Sequence, residues 1–161
     1  MLIVIVLTTV IIIFGIAAFI GAPYLPTLKI QTKSAIDLLG LSKGQTLLDL
    51  GCGDGRVLKF AARSGINSIG YEINPILVII AKINTIKYRS HVKIYWSNYW
   101  TKPLPKADGI FIFLIDKYMQ KLSIKLADYE HKPIKIVSFA FQIPDKKANT
   151  HRDGLYLYEY L

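Results

Sequence analysis

Hydrophobic and polar positions alternate along most of this chain in a way that predicts strands and helices in turn. Short apolar runs at 46–50, 66–71, 92–96, 109–115 and 134–141 are typical of strands. Amphipathic stretches at 29–39, 56–64 and 116–129, with a further helix starting at residue 75, lie between them. The run 109–115 is apolar on both faces, as in a parallel strand covered by helices on both sides. The pattern therefore predicts an α/β fold with a doubly wound, mostly parallel sheet, and a last strand at 155–161 that enters antiparallel at the edge.

The helix that starts at residue 75 can be predicted in more detail. Asn74 followed by Pro75 is typical of an N-cap and first helical position. Four isoleucines recur at helical spacing, and we expect the face they share to be buried in the core. They are Ile76, Ile79, Ile80 and Ile83.

The first 22 residues differ from the rest because they carry no charged side chain. Fourteen positions between Leu2 and Ala22 are Leu, Ile, Val or Phe, enough to cross a hydrocarbon core of about 30 Å. A cleaved signal peptide is the alternative, but the basic segment that precedes its apolar region is missing. The sequence predicts a transmembrane helix over residues 1–22 and a single domain over residues 23–161.

The net charge of +9 lies entirely beyond residue 28. Lys29 and Lys33 follow the apolar segment, which by the positive-inside tendency places the N-terminus outside and the domain in the cytoplasm. Because the remaining lysines are scattered, the charge favours contact with an anionic membrane surface over nucleic acid. A single cysteine, Cys52, excludes an intramolecular disulfide and agrees with a reducing compartment.

The strongest chemical signal is the glycine-rich turn after the first strand of the sheet, which runs from Asp49 to Gly55 and has glycine at 51, 53 and 55. Glycines let the backbone approach a ligand, and Glu72 after the next strand is placed to accept ribose hydroxyls. Two carboxylates, Asp49 and Asp54, would repel a pyrophosphate but suit a ligand that carries an ammonium and a sulfonium. These residues predict S-adenosylmethionine, and the absence of Gly-Lys-Ser/Thr excludes a P-loop.

Three stretches together resemble the class I methyltransferases. They read Asp-Leu-Gly-Cys-Gly-Asp-Gly-Arg at 49–56, Gly-Tyr-Glu-Ile-Asn-Pro at 70–75 and Pro-Tyr-Leu-Pro-Thr at 23–27. The last stretch is similar to the branch that contains archaeal protein lysine methyltransferases and the membrane-anchored lysine methyltransferase of the ATP synthase c subunit. The resemblance covers nearly all of residues 23–161. It implies a Rossmann-like fold, S-adenosylmethionine as cofactor, and a protein lysine at or near the membrane as substrate.

The resemblance also implies site residues. Asn98 stands where the family usually has an aspartate that accepts the adenine amino group, and Phe139 to Phe141 stand where it often has polar residues. The cofactor-binding set is Asp49, Gly51, Cys52, Gly53, Asp54, Gly55, Glu72, Ile73 and Asn98. An aromatic channel would favour the neutral lysine amine and bind the methylated cation. The candidates for the substrate channel are Tyr24, Pro26, Thr27, Trp100, Phe113 and Phe141.

Two other functions stay open at this point. A methyltransferase acting on a lipid or quinone would also benefit from an anchor, and a cofactor-binding protein without activity would keep the glycine turn. A nucleic-acid base methyltransferase is disfavoured, because its Asn/Asp-Pro-Pro-Tyr/Phe motif is replaced by the sequence Leu114 to Lys117.

Overall fold

The computed structural model describes residues 1–20, 27 and 29–161, without the side chains at 10, 13, 14 and 16–20. Its helices are α1 (Leu2–Ile20), α2 (Lys29–Leu39), α3 (Arg56–Arg63), α4 (Pro75–Thr85) and α5 (Met119–Ala127). Its strands are β1 (Thr46–Leu50), β2 (Asn67–Glu72), β3 (Val92–Trp96), β4 (Gly109–Ile112), β5 (Ile134–Phe139), β6 (Thr150–Arg152) and β7 (Leu155–Tyr160). Short 3-10 turns cover Ile86–Tyr88, Tyr99–Thr101 and Asp116–Tyr118, so the helix predicted from residue 116 begins with such a turn.

The seven strands form one sheet in the order β3-β2-β1-β4-β5-β7-β6. Strands β1 to β5 pair in parallel, whereas β7 runs antiparallel to both β5 and β6. The predicted doubly wound sheet and its antiparallel last strand are therefore confirmed. The order changes direction between β1 and β4, and ligands in such folds bind where the carboxyl ends of the strands meet this point. Strand β6 was not predicted, because its three exposed residues are too few to carry a pattern.

Apolar side chains on the two faces of the sheet form separate core clusters. Leu48 and Leu50 pack on the face covered by α5, together with Met119. The alternate residue Leu47 packs on the other face, with Ala35 of α2 and others from α3. The period of two along β1 thus distributes its side chains to both layers and explains why the strand is apolar throughout.

The prediction that the four isoleucines of α4 face the core is wrong. Ile79, Ile80 and Ile83 are 59%, 38% and 64% exposed, and Ile76 is half-buried. The buried face of the helix consists instead of Leu77, Val78, Ala81 and Thr85.

The reason is the close approach of α4 to the glycine turn. A Cβ added at Gly55 would lie 3.0 Å from the Cβ of Ala81, so only the small-residue face of α4 fits against the turn. The side-chain amide of Asn84 also donates to the Asp54 carbonyl oxygen at 2.9 Å and holds the helix in this rotation. Helical spacing alone does not distinguish this face from the isoleucine face.

The N-terminal segment forms helix α1, and the side chains described at its start are exposed, as at Leu2 (75%) and Ile11 (70%). None of the helices in the described part of the chain is long and apolar enough to cross a membrane. The transmembrane helix predicted over residues 1–22 is therefore not supported, and positions 21 and 22 lie outside the described residues.

Candidate active site

The glycine turn joins β1 to α3 at the centre of the sheet. Gly51, Gly53 and Gly55 have φ angles of 88°, 54° and 78°, in the left-handed region that favours glycine. The backbone N–H groups of Gly51 and Cys52 both donate to the Tyr71 carbonyl oxygen at 2.9 Å. The turn is thereby fixed against the end of β2, so the carboxyl ends of both strands contribute to one site.

Glu72 at the end of β2 is 8% exposed and contacts the turn directly. Its Oε2 accepts a hydrogen bond from the Gly53 N–H at 2.9 Å, and its Oε1 accepts one from the Asn74 N–H at 2.8 Å. Burial raises the pKa of Glu72, and the N–H donors of Asn74 and Gly53 oppose that rise. Each carboxylate oxygen can accept further hydrogen bonds, which is what two ribose hydroxyls would require.

Asp49 near the end of β1 is the most strongly perturbed acid of the site. It is 2% exposed, and its Oδ2 has no hydrogen-bond partner among the described residues. Burial, followed by the charges of Glu72 and Asp54, raises the pKa of Asp49 to about 8. A buried carboxylate oxygen without a donor is costly, so this position suits a ligand that brings a cationic N–H group. The ammonium of S-adenosylmethionine fits that requirement.

Asp54 has a partner that the sequence did not reveal. The Arg56 guanidinium lies 2.8 Å from the Asp54 carboxylate and also donates to the Thr27 carbonyl oxygen at 3.0 Å. Arg56 thus connects Thr27, which is buried, to the glycine turn. Tyr24 and Pro26, from the same stretch, lie outside the described residues. The only sequence signal for Arg56 was a basic residue directly after a turn with two carboxylates.

The remaining cofactor candidates lie just beyond the strand ends beside Glu72. In the β2–β3 register Glu72 is paired with Trp96. Ile73 comes directly after Glu72, and Asn98 comes two residues after Trp96. The Trp96 indole N–H donates to the Ile73 carbonyl oxygen at 2.9 Å, and Asn98 Oδ1 accepts from the Trp100 backbone N–H at 3.0 Å.

The Cys52 side chain packs beside Gly70 under the turn, as expected of a small buried residue.

The predicted aromatic candidates divide between the two faces of the sheet. The rings of Phe113 and Phe139 lie 4.7 Å apart and pack against the cluster under α2 and α3. Trp100 and Phe141 pack against the cluster under α5 instead. All four side chains are half-buried and follow or end strands at the carboxyl edge. Phe139 was not among the predicted candidates, because a residue at the end of an apolar strand shows no distinct signal.

Two further groups surround the Trp100 ring. The Tyr118 ring centroid is 6.1 Å from that of Trp100, and the Lys121 ammonium lies 4.7 Å above the Trp100 ring. The Trp100 ring is therefore already in contact with a cation. The rings of Phe113 and Phe139 offer an apolar surface without such a contact among the described residues.

Comparison with protein families gives a match over the glycine turn and most of the sheet. The model of the ANTKMT methyltransferase domain matches residues 49–150.

Curated relatives extend the similarity to about three quarters of the chain. The lysine N-methyltransferase of the ATP synthase c subunit from Xenopus laevis is 28% identical over 125 residues, covering 76% of this chain and 55% of the relative. The enzyme of the same name from Caenorhabditis elegans is 31% identical over 134 residues, covering 78% and 70%. A protein-lysine N-methyltransferase of Saccharolobus islandicus is 29% identical over 126 residues, covering 75% and 78%. The chain spans about half the length of the vertebrate relatives it matches.

Solved structures show the same fold. An RNA methyltransferase from Salinibacter ruber with S-adenosyl-L-homocysteine has a TM-score of 0.78 and 24% identity, covering 84% of this chain and 93% of that one. A methyltransferase from Geobacter sulfurreducens, also with S-adenosyl-L-homocysteine, has a TM-score of 0.62 and 20% identity, covering 83% and 58%. At these identities the likeness establishes the fold, which is the Rossmann-like methyltransferase fold.

Proposed function

The chain belongs to the ANTKMT methyltransferase domain family, and from this premise we propose that it transfers methyl groups from S-adenosylmethionine to lysine side chains of proteins at or near a membrane. The observation that carries the cofactor part of the proposal is the buried Oδ2 of Asp49 beside Glu72, which has no hydrogen-bond partner among the described residues. The names of the curated relatives, which are lysine N-methyltransferases, support the same substrate class.

The cofactor would be held by the polar groups at the ends of β1 and β2. Asp49 would bind the ammonium of its amino acid end, and the backbone of Gly51 and Gly53 would line that end. Glu72 would accept the ribose hydroxyls, while Ile73 and Asn98 would flank the adenine. When bound, S-adenosylmethionine supplies a methyl group attached to a cationic sulfur. The carboxylates of Asp49 and Glu72 at the ends of β1 and β2 favour a cationic ligand and disfavour a diphosphate.

The substrate amine must be neutral to act as the nucleophile, and the aromatic side chains at the ends of β4 and β5 serve that need. Phe113 and Phe139 present half-buried rings with a centroid separation of 4.7 Å. Such a surface excludes water and lowers the pKa of a lysine that enters it. The lysine would lose its proton to water before transfer, so its lone pair could form the new C–N bond as the bond between the methyl carbon and the sulfonium sulfur breaks and S-adenosylhomocysteine leaves. The rings can also bind the methylated cation.

The membrane part of the proposal rests on the N-terminal segment and the charge of the domain. Described side chains of α1 are exposed, residues 2–22 lack charge, and the domain that follows carries a net charge of +9. A large exposed apolar surface marks an interaction site. We propose that residues 2–22 attach the enzyme to a bilayer, which would retain the full chain in the membrane pellet after an alkaline carbonate wash.

Radiolabelled methyl transfer into a membrane fraction tests the substrate class. The full chain is incubated with membranes and tritiated S-adenosylmethionine, and protein, lipid and RNA are then separated. We expect label in protein with the wild type and much less with Glu72→Ala when the cofactor is below saturation. Label confined to lipid or quinone would support the alternative substrate, and label confined to RNA would contradict the proposal. Cofactor binding without any transfer would indicate a protein that has lost its activity.

A further inference from the structure

Helix α4 and the turn that follows it expose an apolar surface that the proposed reaction does not use. Ile79, Ile80, Ile83 and Ile86 are 59%, 38%, 64% and 61% exposed, and we name these four residues the isoleucine stripe. Their spacing of three and four residues places them along one side of the helix. The stripe is fixed in this orientation, because Ala81 on the opposite side packs against the glycine turn.

An exposed tryptophan lies beside the N-terminal end of the same helix. Trp96 is 68% exposed, and its indole N–H donates to the carbonyl oxygen of Ile73, which comes just before the N-cap Asn74. The apolar ring is therefore exposed while its one polar group is satisfied. Tryptophan in this state is enriched where an apolar phase meets water.

The stretch of sequence that contains the stripe carries charge of one sign. Between Glu72 and Asp108 the sequence contains no acidic residue but six basic ones, namely Lys82, Lys87, Arg89, Lys93, Lys102 and Lys106. The side chains of Lys82 and Lys87, within and beside the stripe, are exposed. An apolar surface with exposed lysines within and beside it is complementary to an anionic lipid bilayer, where acyl chains accept the isoleucines and headgroups attract the lysines. Nucleic acid would use the cations but gain nothing from the isoleucines.

We propose that the isoleucine stripe, with Trp96, Lys82 and Lys87, binds the surface of an anionic bilayer. This inference rests on the proposed membrane attachment and adds the face of the domain that contacts lipid. Helix α4 begins two residues after Ile73, and its other side contacts the glycine turn. Binding of the stripe to the bilayer would therefore bring the carboxyl edge of the sheet, where we propose that the cofactor binds, close to the headgroups. The accessible substrates are lysines of membrane proteins that lie at headgroup level.

An environment-sensitive fluorophore attached to an introduced cysteine tests the proposal on the full chain. Ile83→Cys places the probe in the stripe, and Ile124→Cys is the matched control. Ile124 is 60% exposed on α5, on the opposite face of the sheet, and is also near lysines. Cys52 is buried and burial raises the pKa of its thiol, so it can remain, with labelled wild type measuring its background. Vesicles contain phosphatidylcholine with about a third phosphatidylserine and a nitroxide-bearing lipid as quencher.

We expect the nitroxide lipid to quench the probe at position 83 at least about threefold more than the probe at position 124, and less when phosphatidylserine is omitted. Equal quenching at the two positions, on vesicles that retain the chain, would overturn the inference and leave the attachment through residues 2–22 intact. A chain that does not sediment with vesicles would instead refute the attachment itself. A probe signal at position 83 that rises with protein concentration without vesicles would overturn the inference in favour of a second copy of the chain.

Discussion

The two halves of the carboxyl edge of the sheet are built in different ways. At the ends of β1 and β2, polar groups are tied to the backbone, as where Glu72 accepts N–H groups from Gly53 and Asn74. At the ends of β4 and β5, the corresponding space is bordered by the rings of Phe113 and Phe139. Binding a charged cofactor requires donors and acceptors at fixed positions, whereas receiving a neutral amine requires a dry apolar surface. We therefore expect substitutions at the ends of β1 and β2 to affect cofactor binding, and substitutions at the ends of β4 and β5 to affect methyl transfer to the amine.

The largest effect on cofactor binding is expected at Glu72. Replacing Glu72 by Ala removes the proposed ribose acceptor and should weaken binding of S-adenosylmethionine by at least about 2 kcal/mol, since two hydrogen bonds to a charged group would be lost. Isothermal titration calorimetry measures this loss directly. Phe113→Leu at the other half is the matched comparison and should change the affinity less than about twofold while slowing methyl transfer. Equal losses of cofactor affinity in the two variants would remove the distinction between the halves.

A second test concerns the packing under the glycine turn. A Cβ at Gly70 would lie 2.6 Å from Leu58 Cδ1 and 2.7 Å from Cys52 Sγ, all in the buried core. Gly70→Ala should therefore lower the free energy of unfolding by about 2 kcal/mol. Gly44→Ala is the control, because Gly44 has a φ of 87° but no atom of the described residues lies within 4 Å of the added Cβ, so only the backbone cost of about 1 kcal/mol remains. Urea unfolding measures both, and a smaller loss for Gly70→Ala than for Gly44→Ala would refute tight packing at the turn.

The acids of the cofactor half should also make stability depend on pH. The pKa of Asp49 is about 8 in the folded chain and 3.8 ordinarily, so the folded state binds more protons between these values. The free energy of unfolding without ligand should fall as the pH rises from 5 to 8, by at most about 4 kcal/mol from this group, and Asp49→Asn should reduce the slope. A cationic ligand favours the ionised carboxylate, so cofactor affinity should rise over the same range. Identical slopes for the wild type and Asp49→Asn would exclude Asp49 as the source.

The smallest effect concerns backbone strain in the aromatic half. Ala140 lies between Phe139 and Phe141 with a φ of 70°, and its N–H donates to the Gly154 carbonyl oxygen at 2.8 Å. Ala140→Gly should raise the free energy of unfolding by about 0.5 kcal/mol, because glycine adopts this conformation without strain but loses more entropy on folding. Ala140→Val should lower it. A destabilising effect of Ala140→Gly, measured by urea unfolding, would show that the conformation carries no strain.

The same contrast between the halves explains what the sequence could predict. A site for a charged ligand needs particular residue types at particular spacings, so Asp49, the three glycines and Glu72 could be proposed from the sequence. The apolar character of a residue does not indicate which face of the sheet its side chain packs on. Phe113 and Phe141 looked equivalent in sequence, yet they pack on opposite faces of the sheet.

Helix α4 illustrates a second limit. Its isoleucines have the spacing of a buried face, but the contact between Gly55 and Ala81 required a small-residue face at the same place. This requirement arises only when the glycine turn and helix α4 pack together, so neither stretch of sequence indicates it alone. The Arg56 contact with the Thr27 carbonyl oxygen is similar, since it joins positions 29 residues apart.

The identity of the methylated atom shows most directly whether a cationic methyl donor held by Asp49 and Glu72 meets a neutral lysine amine. The full chain is incubated with membranes and S-adenosylmethionine carrying a deuterated methyl group, and the products are analysed by tandem mass spectrometry. We expect deuterated methyl on the Nζ of lysines in membrane proteins, formed faster as the pH rises from about 7 to about 9 and much more slowly with Glu72→Ala at subsaturating cofactor. Deuterated methyl found in lipid, quinone or RNA, with no methyl-lysine in any peptide, would contradict it.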